Sequence, residues 1–515
     1  MQISMKHSKS LFVFFFLAIL TLALIIAVWL RLEHISTRSL WADEAYYAHQ
    51  ARNIVRKPAC LASKEMYQYH PPLFPVLLIP GILAADDLTG FRIITLLINL
   101  AGILVMYFLG RCLRNRFAAV FCMLGLAFNY LNISTATRIL VDSPLAVFLM
   151  VFMLAWFKWH ASEERRHHFY LGFLSVLIVF LKSSGVLILP LLLLLSILSR
   201  RSKEAPPPSR YSLIPLILAL AAWALTLGVR YLLCGHWWYD LSALQGRYLI
   251  KPWWYFIAHF HDLLMLPYLL PFLIIGLMVV FRENSSSGRG LLAWFFVILV
   301  SLSIVPEKAL RYALMLIPPI LLITAIGMDA ALSRIFRPPD AYRRATHIIL
   351  MLIVLSYLGF VPKIRGYLEG RYSTYWGYDR AAQYIESRLD DNMLLICRSP
   401  RHFRFWLGDK IEDKGGRIVF LPDRIQDLRA VVRTYPGPLF VQLDAWTGKD
   451  VDPVSIQKVE GLGPKLVSVI RENVGLSFYD KRRRPVIWLF YRPAQNKANM
   501  QSGKQGEGRP RREAE

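Results

Sequence analysis

Long apolar runs separated by short polar segments dominate the chain, and the first, Leu11 to Leu30, is 20 residues long. The hydrocarbon core of a bilayer needs roughly 20 apolar residues per helical span. In lipid every backbone polar group must be bonded internally, so such runs read as helices. The pattern predicts spans over 11–31, 90–110, 117–132, 143–159, 169–183, 185–199, 212–233, 262–281, 291–305, 313–329 and 346–362. The fifth and sixth are short and meet at Lys182-Ser-Ser-Gly185. The apolar piece 73–85 is too short to span and suits a helix lying in or dipping into the interface. The first run is too long for a signal-peptide core and lacks a small-residue cleavage site, so it reads as a retained anchor.

From about Gly370 the pattern changes. Tyr378, Ala381, Ala382, Ile385 and Leu389 recur at helical spacing. Short runs rich in β-branched and aromatic residues follow at Met393–Cys397, Arg417–Leu421, Leu439–Leu443, Lys465–Ile470 and Val486–Tyr491. Asp423 to Tyr435 reads as a helix between two of them, and the polar tail Asn496 to Glu515 as disordered. The expected fold is a polytopic α-helical membrane protein of about eleven spans with a small C-terminal α/β domain. Its divisions are 1–365 for the membrane part, with a first outside loop at 32–72, then 370–495 and the tail 496–515.

The chain has 515 residues, 55% of them apolar, and a mean hydropathy of +0.40. Its net charge of +25 does not imply nucleic acid, because the cations gather between spans. With a cytoplasmic N-terminus, the six segments predicted inside hold eighteen Lys and Arg, at least two in each, as the positive-inside rule asks. The C-terminal domain and the loop 32–72 then lie on the outer side of the membrane. Membrane lipids are the remaining partners for surface cations. The five cysteines, Cys60, Cys112, Cys122, Cys234 and Cys397, show no metal-ligand or redox spacing. No nucleotide-binding loop is present.

In the first outside loop stands Trp41-Ala-Asp43-Glu44-Ala-Tyr46-Tyr47-Ala48, at the start of a helical stretch Asp43 to Val55. Acids at a helix N-terminus can be a solvated end favoured by the macrodipole, or a catalytic base beside an orienting acid. Adjacent helical residues point about 100° apart, so the two carboxylates would divide those roles. Tyr69-His70-Pro71-Pro72 joins this loop to 73–85, and its prolines fix the chain as extended around His70. Arg138 and Asp142 stand four apart, a spacing usually structural on a helix. Lys182 lies in an apolar context, where ionisable groups commonly face a cavity. The loop 234–261 is rich in aromatics (Trp237, Trp238, Trp253, Trp254) alongside Arg247, Lys251, His259 and His261, a belt-like set in which one or two rings could stack on sugar. Glu307-Lys308-Ala-Leu-Arg311-Tyr312 places two cations outside, where a lipid-linked phosphate would give them a purpose. A carboxylate to take a hydroxyl proton and cations to stabilise a departing phosphate are what glycosyl transfer from a lipid-phosphate sugar requires.

At these residues the chain resembles the GT-C superfamily of integral-membrane glycosyltransferases. More narrowly it resembles the bacterial branch of glycosyltransferase family 39, related to protein O-mannosyltransferases and to the enzymes that add aminoarabinose or galacturonic acid to lipid A. The motifs are Trp41 to Ala48, His70-Pro-Pro-Leu73, Arg138-x-x-x-Asp142, Lys182-Ser-Ser-Gly185 and Lys308-x-x-Arg311-Tyr312. The resemblance implies a GT-C fold and inverting transfer from a polyprenyl-phosphate sugar to a periplasmic acceptor such as lipid A, a glycan or a protein. It implies Asp43 as base with Glu44 assisting, and Lys308, Arg311 and Tyr312, joined by His70 and Lys182, near the donor phosphate. Arg138, Asp142 and Tyr46 would serve structure or the acceptor. At two places the chain departs from the aminoarabinose branch: Tyr46 stands where many relatives have Arg, and Tyr69-His70 where they have Glu-Lys. The metal of that branch is not carried onto those positions, and at the second His70 would replace the Lys as hydrogen-bond donor, charged only in part near neutral pH. Asp43, Glu44, His70 and His261 are residue types that could ligate a divalent metal, but no motif joins them. The rival readings are a polytopic lipid or polysaccharide transporter, which commonly shows repeated halves not seen here, and an inactive scaffold.

Overall fold

The computed structural model describes residues 2–33, 35–36, 39–67, 70–85, 88–160, 162–200, 211–237, 251–305, 308–372, 377–422, 425–445, 451, 453–475 and 481–494. Tyr69, Trp238, Arg247, Glu307, Asp423 and the tail from Asn496, all named above, lie outside these residues. The chain divides into two compact units, Met1–Thr37 with Gln50–Leu368 and Arg38–His49 with Glu369–Glu515.

The first unit is helical. Phe14–Leu32, Leu88–Leu113, Asp142–Trp159, Ile214–Cys234, Ser286–Ile304, Ile317–Ile335 and Pro339–Leu368 are long and apolar enough to cross a bilayer. The pair Arg116–Phe128 and Tyr130–Ala136, bent by 60°, makes an eighth if counted as one span. The other three expected windows fall on the shorter helices Arg165–Leu181, Ile188–Arg200 and Leu270–Glu283. Local breaks shorten them: Lys182 adopts extended backbone (φ −155°, ψ 150°), and Met265 has φ 65° just before Pro267. The 73–85 piece is the helix Leu73–Ala84.

The 60° bend occurs at Asn129, whose extended backbone (φ −64°, ψ 119°) leaves groups on both sides of the break without helical partners. Its side chain accepts from the Leu131 and Asn132 amides and donates to the Leu263 carbonyl (2.8 Å). The fully buried Arg31 donates to the carbonyls of Ala27 (2.7 Å) and Ala127 (2.8 Å) and to Asn99 Oδ1 (3.1 Å). Asn99 in turn donates to Asn132 and Ser143. A kink in an apolar interior needs this provision, since each unbonded amide there costs a few kcal/mol. Elsewhere Asp329 accepts from Arg114 Nε (2.6 Å), Asn115 (2.7 Å) and Tyr342, drawing together its own helix, the helix from Pro339 and the turn between Leu88–Leu113 and Arg116–Phe128.

Helices Leu270–Glu283 and Ile317–Ile335 approach backbone to backbone. A Cβ at Gly276 would lie 1.9 Å from the Ile323 carbonyl oxygen, and one at Gly327 would lie 2.0 Å from that of Phe272. Small residues permit this contact, from which helix association in lipid draws its dispersion energy.

The second unit is a three-layer α/β sandwich. Its strands are β1 (Leu394–Cys397), β2 (Arg417–Phe420), β3 (Leu439–Asp444), β4 (Lys465–Gly475) and β5 (Lys481–Arg492), in the order β2-β1-β3-β5-β4. Strand β1 runs parallel to β2 and β3, while β5 is antiparallel to both β3 and β4. Side chains alternate along β1: Leu395 and Cys397 pack with helices Tyr378–Glu386 and Pro400–Asp413. Leu394 and Ile396 pack with Leu428, Val432 and Val459 on the opposite face. The five expected strands and the helix within 423–435 are present. The helix Pro400–Asp413 is not among the sequence expectations.

Gly327→Ala should place a methyl inside the Phe272 carbonyl and cost about 1–3 kcal/mol, the usual penalty of overpacking. Thermal unfolding of the detergent-solubilised protein measures it. Gly359→Ala, where a Cβ meets nothing within 4 Å, should leave the transition unmoved.

Candidate active site

In the first unit, residues from four chain segments converge. The Lys182 ammonium donates to Asp142 Oδ1 at 2.6 Å, and Arg311 Nε lies 3.7 Å from Asp142 Oδ2. Asp142 opens the helix Asp142–Trp159, where the positive end of the helix dipole favours a carboxylate. Lys182 reaches it because extended backbone ends the preceding helix there. The Tyr312 ring lies against both cations, 4.9 Å from Lys182 Nζ and 5.6 Å from the Arg311 guanidinium carbon. His70 Nδ1 meets Ser183 Oγ at 2.7 Å, tying the His-Pro-Pro turn to the residue after Lys182. Asp142, Lys182, Arg311, Tyr312 and His70 therefore form one cluster.

Lys308, three residues before Arg311, is only 6% exposed. It donates a hydrogen bond to the Val305 carbonyl, and among the described residues it forms no ion pair. Burial pushes its ammonium below the ordinary lysine range. A buried cation bonded only to a neutral carbonyl would be relieved by an anionic ligand.

Arg138 is 1% exposed, but it precedes the helix that Asp142 begins. The four-residue spacing of these two residues is therefore not a shared helical face; Asp142 pairs with Lys182 and lies beside Arg311. His261 lies beside Asp262 (3.3 Å). Among the described residues no group of three or more His, Cys, Asp and Glu side chains could hold a metal ion.

The acidic pair belongs to the second unit. Asp43 and Glu44 sit in the first turn of the helix Ala42–Arg56. Glu44 is fully buried and accepts from the Trp41 backbone amide (3.0 Å), the return half of a capping box. Asp43 is half-buried, and its Oδ1 accepts from Arg401 at 3.0 Å. The Arg401 guanidinium also lies over the Tyr46 ring, 5.4 Å from its centroid.

Next to Arg401, the fully buried His402 accepts from or donates to Ser399 Oγ (2.6 Å) through Nδ1, and its Nε2 meets the Leu40 carbonyl oxygen at 2.8 Å. A carbonyl only accepts, so Nε2 carries the proton and Nδ1 accepts from the serine. The imidazole stacks on Tyr378, with centroids 3.9 Å apart and planes 4° apart. Tyr378 donates to Asp444 at the end of β3. Sequence reasoning missed Ser399, Arg401 and His402, and gave Ser183, within the Lys182-Ser-Ser-Gly185 motif, no role of its own. The available signal for the first three was Ser-Pro directly after β1, the usual opening of a helix.

The chain and its fold have known likenesses. Residues 83–201 match the profile of the family described as dolichyl-phosphate-mannose-protein mannosyltransferase. The fold is similar to that of ArnT from Cupriavidus metallidurans in the apo state, at 15% identity and a TM-score of 0.57 over 94% of this chain and 98% of that one. ArnT of the same organism bound to undecaprenyl phosphate matches at 14% identity and a TM-score of 0.56, over 93% of this chain and 97% of that one. The oligosaccharyltransferase of Archaeoglobus fulgidus, tethered with an acceptor peptide, matches at 13% identity and 0.54, over 84% of this chain and 69% of that one. No curated protein sequence matches. The chain is thus a multi-pass membrane protein with the GT-C fold. The mannosyltransferase profile over residues 83–201 and the likeness of fold to ArnT and the oligosaccharyltransferase together indicate a glycosyltransferase.

Burial pushes the His402 imidazole down to about 4, against an ordinary value near 6.5. Above pH 6.5 both folded and unfolded chains hold it neutral. As pH falls from 6.5 toward 4 only the unfolded chain takes up the proton, so stability is lost in that window. Between pH 7.5 and pH 5 the second unit should lose about 2 kcal/mol from this group. Thermal melts at the two pH values check this, and His402→Asn should flatten the dependence.

Proposed function

We propose that the protein transfers a sugar, with inversion, from a polyprenyl-phosphate donor to a hydroxyl-bearing acceptor on the periplasmic side of the cytoplasmic membrane. Lipid A, a glycan or a protein would each supply such a hydroxyl. In this reading residues 1–365 form the catalytic membrane part and 370–495 a periplasmic domain. The acceptor oxygen attacks the anomeric carbon from the face opposite the phosphate. The new C–O bond forms as the bond to phosphate oxygen breaks, its electron pair leaves on the phosphate, and the acceptor proton passes to Asp43. Lys308, with Arg311, Lys182, Tyr312 and His70, receives the phosphate as its charge grows.

The observation that carries this reading is Lys308, a buried cation that among the described residues is bonded only to a neutral carbonyl, three residues before the Arg311 of a Lys–Asp–Arg cluster. A phosphate is the ligand whose charge such a residue lacks. The undecaprenyl phosphate bound by ArnT supports the donor class.

Purified protein incubated with labelled polyprenyl-phosphate sugars should release polyprenyl phosphate. Asp43→Asn should abolish release while leaving yield and melting unchanged, and a variant that keeps its rate removes Asp43 as the base. Lys308→Met should weaken donor binding about 10- to 100-fold, the usual loss when a charged hydrogen bond is deleted. Donor KM, more than kcat, should carry that change.

A further inference from the structure

The helix Pro400–Asp413 begins at the carboxyl end of β1, between the connection to β2 on one side and the position of β3 on the other. Strand order reverses there, and in open α/β sheets such a point is where a ligand is held. In this unit the first turn of that helix instead grips residues of the chain's own N-terminal half. His402 Nε2 donates to the Leu40 carbonyl at 2.8 Å, and Arg401 donates to Asp43 at 3.0 Å, across 362 and 358 positions of sequence. The Arg401 guanidinium is also held over Tyr46, which fixes its direction.

We propose that Arg401 is a positioning residue for Asp43, holding the carboxylate ionised and in a single orientation. This rests on Asp43 being the base. A base must be deprotonated before it can accept a proton, and an adjacent guanidinium favours the charged form. The charged and titratable groups placed about Asp43 within this unit include Arg401 and His402 from the helix Pro400–Asp413, with Glu44 and Tyr46 on its own helix. His402 is buried and neutral at assay pH, so of the groups just named it is Arg401 that brings a positive charge to Asp43.

The test is the pH profile of kcat/KM for donor turnover in full-length wild type, Arg401→Lys, Arg401→Gln and Asp43→Asn. Arg401→Gln should lower kcat, with a smaller change in KM, and move the acidic limb upward by about one pH unit. Arg401→Lys should restore the limb while recovering only part of kcat, since an ammonium lacks the guanidinium's fixed fork. An Arg401→Gln enzyme that is slower with an unmoved limb has lost only structural support, and the proposal fails. If Asp43→Asn keeps its activity, it is the base assignment that fails. Should Arg401→Gln be too slow to profile, pH-dependent carbodiimide labelling of Asp43 in the full-length variants reads the same shift. Labelling curves that coincide between wild type and Arg401→Gln overturn the proposal.

Discussion

Charge inside an apolar scaffold is tolerated only where geometry compensates it, and the first unit is arranged around one such compensation. Asp142 accepts from Lys182 and lies beside Arg311, so a single carboxylate ties together the start of one helix, the end of another and the turn preceding a third. Removing one member of a buried set of this kind leaves a charge without its partner, at a cost of several kcal/mol. The extended backbone at Lys182 and the short turn at Leu310–Met315 follow from that requirement. Both breaks shorten helices that composition alone would have extended. Among the described residues Lys308 has no carboxylate partner, and it is there that the proposed donor phosphate would complete the set.

The membrane fold was readable because its signal is coarse. Runs of Leu, Ile, Phe and Val place helices wherever the chain is apolar, and every expected window lies on one. The division of 169–199 at Lys182-Ser-Ser-Gly185 was readable, but the lengths were less so: the expected window 262–281 is broken at Met265, and its helix begins only at Leu270. At Gly185 a Cβ would lie 2.0 Å from the Ile178 carbonyl oxygen, so the division also depends on one residue having no side chain. The bend at Asn129 depended on partners as distant as Arg31 and Leu263, which no local window contains.

The residues of the candidate cluster were conspicuous one by one, but their pairings were not. His70, Asp142, Lys182, Arg311 and Tyr312 stood out because polar groups are costly beside apolar runs. Their pairings came only from folding: Asp142 engages Lys182 rather than sharing a helix with Arg138, and His70 engages Ser183. The acids were conspicuous, yet Glu44 is a buried helix cap. Arg401 escaped notice because an arginine in a polar α/β segment is ordinary until its partner is known.

The α/β unit uses its strand-reversal point to hold residues 40 to 43 of the same chain. Its helix opening and the Trp-Ala-Asp-Glu stretch are therefore matched surfaces, although they lie at opposite ends of the gene product. Recombination that exchanged the C-terminal half between relatives would separate the two. Descent within this lineage should therefore favour their joint inheritance, with changes at the Ser399–His402 corner tracking changes around Leu40.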